Sequence, residues 1–505
     1  MNIKRAKEEI KNTVLAYLAK DEYGNYYIPY LRQRPVLLMG PPGVGKTQIM
    51  EQIAGECKVA LVSYTITHHT RQSAVGLPFI QKKMYNGKEC SVTEYTMSEI
   101  VASIYDKIEL SGLKEGILFI DEINCVSETL APTMLQFLQY KSFGNRRIPE
   151  GWVIITAGNP PEYNRSVREF DTVTLDRVRR ISVEPEFSVW KEYAYKQGIH
   201  GTIISYLDIR GENFYRIETT PDGTFFATAR GWEDLSEVLH VSEKLSIPVT
   251  EDLVIQYIQY NTIARDFTNY YELYNKYKEV YTIEEILKGN ISQNSIGKLK
   301  RAPFDEKLNV IGLLLSGLTD LFKEVFLTDS FVDILFSYLK EWKQQLYSIE
   351  TVSPYELLTG LTLDEEKRLN LKIESGQADK VTVTLSNRIR STLKEYATAL
   401  WEKQGDTIEK ADSAFTLVKS LFDREPVRRK EAIQKGMAAL EYVFEFMETV
   451  FGEGQEMVIF VTELTVNFYS SKFIGEYGSE KYQKYNRSLL FEERHKDIME
   501  EIKKL

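Results

Sequence analysis

A glycine-rich segment that ends in a lysine and a hydroxyl residue is the strongest chemical signal in the sequence. Residues 40–47 read GPPGVGKT, which fits the phosphate-binding pattern GxxxxGK[ST]. They follow the apolar run VLLM and precede the helix-like segment TQIMEQIAGEC, and this pattern requires a strand before it and a helix after it. The predicted loop consists of Gly40, Pro41, Pro42, Gly43, Val44, Gly45, Lys46 and Thr47.

The residue types of this loop suit a nucleoside triphosphate with Mg²⁺. Glycines let backbone N–H groups converge on phosphate oxygens, and the helix start directs its positive dipole end at the same charge. We expect Lys46 to bind the β and γ phosphates and the Thr47 hydroxyl to bind Mg²⁺. A chance glycine-rich turn is the alternative, and the order of strand, loop and helix argues against it.

Two acidic residues end a second apolar run. Residues 116–122 read GILFIDE, which predicts a buried strand whose carboxylates emerge at the edge of the sheet where ligands bind in open α/β folds. We expect Asp121 to hold Mg²⁺ and Glu122 to orient and deprotonate the attacking water.

An asparagine follows a third apolar run, Trp152–Ala157, within the sequence Gly158-Asn159-Pro160. At the same sheet edge, the amide of Asn159 can donate to the γ-phosphate and accept from the water. An asparagine that merely turns the chain after a strand is the alternative interpretation. Because the three motifs occur in this order, we favour a role for Asn159 in the site over that of a turn residue.

The elements that would position these residues change along the chain. From residue 35 to about 183, short apolar runs alternate with helical segments, which predicts a parallel sheet covered by helices. After Pro185 the pattern is helical, and we expect interruptions at 351–379 and 452–455. The predicted domains are an α/β nucleotide-binding domain over 1–185 that starts with an amphipathic helix, a helical lid over 186–290, and a mainly helical domain of unassigned role over 291–505.

Composition limits the classes of partner and compartment. A net charge of −10 argues against nucleic acid as the partner. Three cysteines without a CxxC pair indicate a reducing compartment. The N-terminal segment is not a signal peptide, and the longest apolar stretch, 310–318, is far shorter than the roughly 20 residues of a membrane span. We therefore expect a cytoplasmic protein without a membrane segment.

Five segments together resemble the motif series of the AAA+ ATPases, and most closely that of the MoxR family. They are GPPGVGKT, ILFIDE, TAGNP, LDRVRR and ATARGWEDLS. The resemblance implies an α/β core with a helical lid, Walker A at 40–47, Walker B at Asp121 and Glu122, and sensor 1 at Asn159.

The resemblance also implies roles for two arginines. LDRV is similar to the family's LDRF element, which implies that Arg177 is an arginine finger for the neighbouring subunit. Because Arg179 and Arg180 follow, which of the three side chains reaches across stays open, and a surface basic cluster is the alternative. Arg230 resembles the sensor 2 arginine of the PRAW element, although Ala229 stands in place of the proline.

MoxR-like proteins carry two β-hairpins in their core, and both have counterparts in this sequence. Residues 78–97 fit the first, with Asn86-Gly87 as the turn. Residues 141–149 fit the second, which would turn at Gly144-Asn145.

The function that the resemblance implies is Mg²⁺-dependent ATP hydrolysis by a homo-oligomeric ring, typically a hexamer, that remodels or matures a partner protein. Family members commonly work with a protein that contains a von Willebrand factor type A domain. Two alternatives stay open: an ATP-gated scaffold with incidental turnover, and a ring NTPase that uses GTP or acts on nucleic acid. These motifs fix neither the client protein nor the role of residues 291–505.

Overall fold

The computed structural model describes residues 1–68, 71–143, 146–163, 167, 170–221, 223–348, 351–374, 378–404 and 411–489. The chain divides into two compact units. The first comprises Met1–Val189, Thr228–Arg230 and Asn370–Ala378, and the second comprises Trp190–Ala227, Gly231–Leu369 and Asp379–Leu505.

The first unit is built on a parallel sheet. Its strands are β1 (Val36–Met39), β2 (Ala60–Thr65), β3 (Pro78–Tyr85), β4 (Lys88–Tyr95), β5 (Gly116–Asp121), β6 (Ser142–Phe143), β7 (Arg146–Arg147), β8 (Trp152–Gly158) and β9 (Arg179–Ser182). Its helices are α1 (Ile3–Leu18), α2 (Lys46–Cys57), α3 (Arg71–Val75), α4 (Glu99–Ser111), α5 (Ala131–Tyr140) and α6 (Thr172–Leu175). Five strands pair in the order β2-β5-β8-β1-β9, and every pairing is parallel. The predicted α/β core is confirmed.

The central strands are buried on both faces, as parallel strands under helices must be. Every residue of β8 is buried, and so are the first five of β5. Side chains alternate between the faces of a strand, so Leu118 and Ile120 share a face, where they join a core cluster with Ile104 of α4 and Phe137 of α5. The neighbouring Phe119 is equally buried. The sequences of β5 and β8 are therefore mostly apolar, whereas half-exposed strands alternate polar and apolar residues.

Two short hairpins extend from the core. Strands β3 and β4 are antiparallel, and both turn residues have positive φ, 50° at Asn86 and 77° at Gly87. This is the combination that a two-residue hairpin turn requires, so the first predicted hairpin is confirmed. Strands β6 and β7 form the second. The predicted turn residues Gly144 and Asn145 lie outside the described residues.

The second unit is mainly helical, as predicted for the C-terminal part of the chain. Its elements, with the helix that leads into it, are α7 (Phe187–Gln197), α8 (Gly201–Ile209), β10 (Arg216–Thr220), β11 (Gly223–Ala227), α9 (Ala229–Leu245), α10 (Glu251–Ile255), α11 (Asn261–Val280), α12 (Ile283–Leu287), α13 (Gln293–Arg301), α14 (Phe304–Ser348), α15 (Pro354–Glu374), α16 (Lys380–Gln404), α17 (Ala411–Phe422), α18 (Arg424–Phe451), α19 (Gln455–Val466) and α20 (Phe468–Tyr477). Within the described ranges, no helix combines the length and the apolar composition that a bilayer span requires.

The long helix α14, of 45 residues, contributes to two hydrophobic clusters of this unit. Its first half packs with α18, α19 and α20, and the ring of Phe322 stacks on Phe473 of α20 with centroids 4.2 Å apart. Its second half joins α15, α16 and α17 in another cluster, which includes Trp342 and Leu358. The first cluster also includes Tyr274 of α11, so helices from both the predicted lid and the predicted C-terminal domain share this core. The boundary between those two domains stays a prediction.

One local prediction about this part of the chain was wrong, and one element was not predicted. The interruption expected at 351–379 is mostly the helix α15, because its leucines recur at helical spacing and a capping box starts it. Ser353 Oγ accepts from the N–H of Glu356, whose carboxylate accepts from the N–H of Ser353. The hairpin of β10 and β11 lies between helices α8 and α9 and was not predicted. The break predicted at 452–455 is confirmed between α18 and α19.

A close contact at the start of β5 gives a prediction about stability. A Cβ at Gly116 would lie 2.6 Å from the ring of Trp152, which is fully buried. We expect Gly116→Ala to lower the free energy of local opening by about 1–3 kcal/mol, because the core would be overpacked. Hydrogen exchange of the amides in β5 and β8 measures this energy.

Gly55 provides the matched control for that substitution. It lies in α2 with nothing within 4 Å of an added Cβ, so Gly55→Ala should stabilise its helix slightly, by up to about 1 kcal/mol. Equal protection of β5 in the Gly116→Ala protein and the wild type would contradict the close-contact argument.

Candidate functional site

The glycine-rich loop joins β1 to α2, as the motif predicts. Gly43 and Gly45 have φ values of 74° and 86°, which glycine adopts without the steric cost that a Cβ imposes. A Cβ at Gly43 would also lie 3.2 Å from the Thr228 side chain. The N–H of Gly40 donates to the carbonyl of Gly158 at 3.2 Å, which ties the loop to the end of β8.

Lys46 occupies the centre of the site, and only 8% of its surface is exposed. Its Nζ donates to the carbonyls of Gly40 and Pro41, at 2.8 and 2.9 Å, and to Oδ1 of Asn159 at 2.8 Å. Burial lowers the pKa of Lys46 to about 8, against the opposing charge of Asp121. A buried ammonium without a direct carboxylate partner is well suited to bind an anionic group such as a phosphate.

The hydroxyl of Thr47 and the carboxylate of Asp121 form a pair of oxygen donors. Thr47 Oγ1 donates to Asp121 Oδ2 at 3.0 Å, and Asp121 Oδ1 accepts from the N–H of Glu122 at 2.9 Å. Mg²⁺ prefers oxygen ligands and takes few of them from protein when phosphate is present. These two residues therefore fit an Mg²⁺ site, where the ion would supply positive charge to the phosphate oxygens.

Glu122 lies directly beyond β5 in a turn and has a positive φ of 57°. This conformation is uncommon for a residue with a side chain. Its Oε2 accepts a hydrogen bond from the hydroxyl of Thr67 at 2.9 Å. Thr67 follows β2, which pairs with β5 so that Thr65 is opposite Asp121. Sequence reasoning missed Thr67, because only the strand order brings these two strand ends together.

A second residue that the motifs did not indicate is Asn124. It lies in the turn after Glu122 and is 2% exposed. Its Nδ2 donates to the backbone carbonyl of Asn159 at 2.8 Å. The strand-end asparagine is thus held through its backbone by Asn124 while its side chain contacts Lys46.

The predicted arginines have different surroundings. Arg230, at the start of α9, lies beside the loop, because a Cβ at Gly43 would be 3.5 Å from the Arg230 Cβ. Burial is the larger cause of the lowered pKa of Lys46, and the positive charge of Arg230 lowers that pKa further. Arg177 is exposed in the turn after α6, and its guanidinium has no hydrogen bond or ion pair with the described residues. Arg179 pairs with Val36 at the start of β1, whereas the loop follows the end of β1, so Arg177 lies near the other end of the strand from the loop, beside which Arg230 lies.

The two arginines after Arg177 lie on β9. Arg179 donates to Thr13 and to Glu9 of α1, at 2.5 and 2.6 Å, so its side chain is engaged within its own chain. Arg180 is exposed and its neighbour in the register is Leu37 of β1. Among the three arginines, Arg179 is therefore the one whose side chain binds to others within the described part of the chain.

The chemistry available at the site follows from the strand order. Strands β5, β8 and β1 are adjacent, and their carboxyl ends present two carboxylates, an amide and the loop with its lysine. This set can bind a triphosphate, hold Mg²⁺, and offer Glu122 as a base for water.

Part of the sequence matches the model of a known protein family. Residues 36–176 match the family model described as ATPase family associated with various cellular activities (AAA). No curated protein matches the chain. Among solved structures, a mutant of RuvB from Thermotoga maritima is 15% identical over a match that covers 50% of this chain and 69% of that chain, with a TM-score of 0.29. The residues that the family model matches include strands β1, β2, β5 and β8 of the sheet, the loop, both acids and Asn159. This chain therefore carries an AAA ATPase-family domain.

Proposed function

We propose that the chain hydrolyses ATP with Mg²⁺, and that a ring of like subunits uses this energy to remodel or mature a partner protein. The proposal of ATP hydrolysis rests on the hydrogen-bonded side chains at the ends of adjacent strands. Lys46 contacts Asn159, and Thr47 contacts Asp121, whose neighbour Glu122 supplies a carboxylate. The family match over 36–176 supports ATP-driven activity in general.

Each residue has one task in the proposed reaction. Lys46 exchanges its contacts with the loop carbonyls for phosphate oxygens, and Thr47 with Asp121 would hold Mg²⁺. Glu122 accepts a proton from water through a carboxylate oxygen, while Thr67 holds its Oε2. Asn159 positions the water and the γ-phosphate. Catalysis of this kind relies on positioning and on charge stabilisation.

The ring is supported by Arg177, an exposed cation whose guanidinium has no hydrogen bond or ion pair among the described residues of its own chain. In a ring it would contribute positive charge to the neighbouring subunit's site. The hexameric state, the MoxR-like character, a von Willebrand factor type A partner and a cytoplasmic location are inferred from the motif resemblance. So is a role for Arg230 as a sensor arginine, which its place beside Gly43 supports.

The first prediction concerns the base. We expect the wild type to hydrolyse Mg-ATP with an activity per chain that rises with protein concentration, and Glu122→Gln to lose about 100-fold or more while it still binds ATP. Phosphate release across a dilution series measures both. Binding without turnover in the wild type would contradict the hydrolytic proposal and favour an ATP-gated scaffold.

The second prediction concerns Arg177. Arg177→Ala should bind ATP normally and lose about 1000-fold in hydrolysis. Mixing it with the Lys46→Ala chain should restore part of the activity, because the Lys46→Ala subunit donates Arg177 to an intact neighbouring site.

Arg179→Ala and Arg180→Ala are the matched controls. We expect each of them to hydrolyse ATP on its own, without being mixed with another variant. If the mixture of Arg177→Ala and Lys46→Ala stays inactive although rings form, the assignment of Arg177 to a neighbouring site is wrong.

The third prediction concerns pH. The pKa of Lys46 is about 8 without nucleotide, and a bound phosphate raises it because negative charge favours the ammonium. ATP binding should therefore take up a proton near pH 8.5 and bind more weakly as pH rises above 8. Calorimetry in two buffers of different ionisation enthalpy measures this uptake. Equal heats in both buffers at pH 8.5 would exclude it.

A further inference from the structure

The amide of Asn124 connects two parts of the site that are far apart in sequence. Its Nδ2 donates to the carbonyl of Asn159, and the N–H of the preceding Ile123 donates to the carbonyl of Ala157 at 2.9 Å. The turn that carries Glu122 is thereby joined to the strand end that carries Asn159. Because Asn159 Oδ1 accepts from Lys46, Asn159 is linked through its backbone to Asn124 and through its side chain to the phosphate loop.

The strand end is shaped to accept this amide. A Cβ at Gly158 would lie 2.5 Å from Asn124 Oδ1 and 2.9 Å from its Cγ, closer than side-chain atoms approach one another. The glycine before Asn159 therefore makes room for the Asn124 side chain. A larger residue at position 158 would push the amide away from the carbonyl of Asn159.

Stability alone does not explain an asparagine at this position. Asn124 Oδ1 is buried and has no hydrogen-bond partner among the described residues. A buried polar atom without a partner is costly, and this cost offsets the contribution of the single bond from Nδ2. An apolar side chain of similar size would remove this unpaired oxygen together with the bond to the Asn159 carbonyl, so the bond to Asn159 is the contribution that explains the residue.

We infer that Asn124 is a positioning residue for the proposed hydrolysis: it fixes the backbone of Asn159 so that the Asn159 amide faces Lys46 and the γ-phosphate. This inference rests on the proposed function. It places Asn124 outside direct contact with nucleotide, so its effect must pass through Asn159. It also implies that the turn that carries Glu122 and the strand end that carries Asn159 move together.

The test is a double-mutant cycle with Asn124→Leu and Asn159→Ala. A misplaced positioning group costs up to about 100-fold, so Asn124→Leu should lower kcat by roughly 10- to 100-fold. In the Asn159→Ala background the same change should have almost no further effect, because coupled residues are not additive. Additive losses in kcat would overturn the inference.

Asn309→Leu is a closely matched control. Asn309 is 5% exposed, its Nδ2 donates to the carbonyl of Asp305 at 2.8 Å, and its Oδ1 also lacks a partner among the described residues. It lies in α14 of the second unit, so Asn309→Leu makes the same chemical change and should leave kcat unchanged. An equal loss of kcat in Asn309→Leu and Asn124→Leu would indicate a general effect of the substitution and overturn the inference.

Binding separates this inference from the proposed function. Asn159 is assigned to the γ-phosphate, so Asn124→Leu should weaken binding of ATPγS and leave binding of ADP unchanged, whether or not the wild type turns over. A wild type that binds but does not hydrolyse overturns the proposed function alone. Equal weakening of ATPγS and ADP, with a lower melting temperature, indicates a structural role and overturns the inference.

Discussion

The buried ammonium of Lys46 is the constraint around which the site is organised. Removing a cation from water is costly unless oxygen atoms or negative charge replace its hydration. Lys46 has three oxygen acceptors, and none of them belongs to a carboxylate. Burial therefore holds its pKa near 8. At neutral pH most Lys46 side chains are still protonated, and a bound anion would stabilise that charge further.

The sheet makes this arrangement possible by placing strand ends side by side. Parallel pairing of β1 with β8 and of β8 with β5 aligns the loop, Asn159 and Asp121 at one edge. The backbone bond from Gly40 to Gly158 fixes the loop against its neighbouring strand. Small displacements of a strand end would therefore alter the contacts of Lys46 directly. Packing on both faces of β5 and β8 resists such displacements.

The sequence predicts the parts of this site that depend on local pattern. The loop motif, the two acids and the asparagine each follow an apolar run, so chain order alone is enough to place them at strand ends. Thr67 and Asn124 have no such pattern. Thr67 reaches Glu122 only because β2 lies beside β5, and strand adjacency is not readable from chain order. The roles of all these residues in catalysis stay predictions, since the comparisons establish the domain and not its site.

The charges within one chain explain why the proposed reaction calls for a neighbour. Lys46 and Arg230 lie at the loop, and they are matched by Asp121 and Glu122. A bound Mg-ATP adds net negative charge, and in the transition state of hydrolysis this charge redistributes among the oxygens of the transferred and leaving phosphates. One further cation in a water-excluded site would stabilise that charge strongly. Arg177 is an exposed cation of this domain whose guanidinium makes no hydrogen bond or ion pair with the described residues, and its position away from its own loop is the reason to assign it to the next subunit.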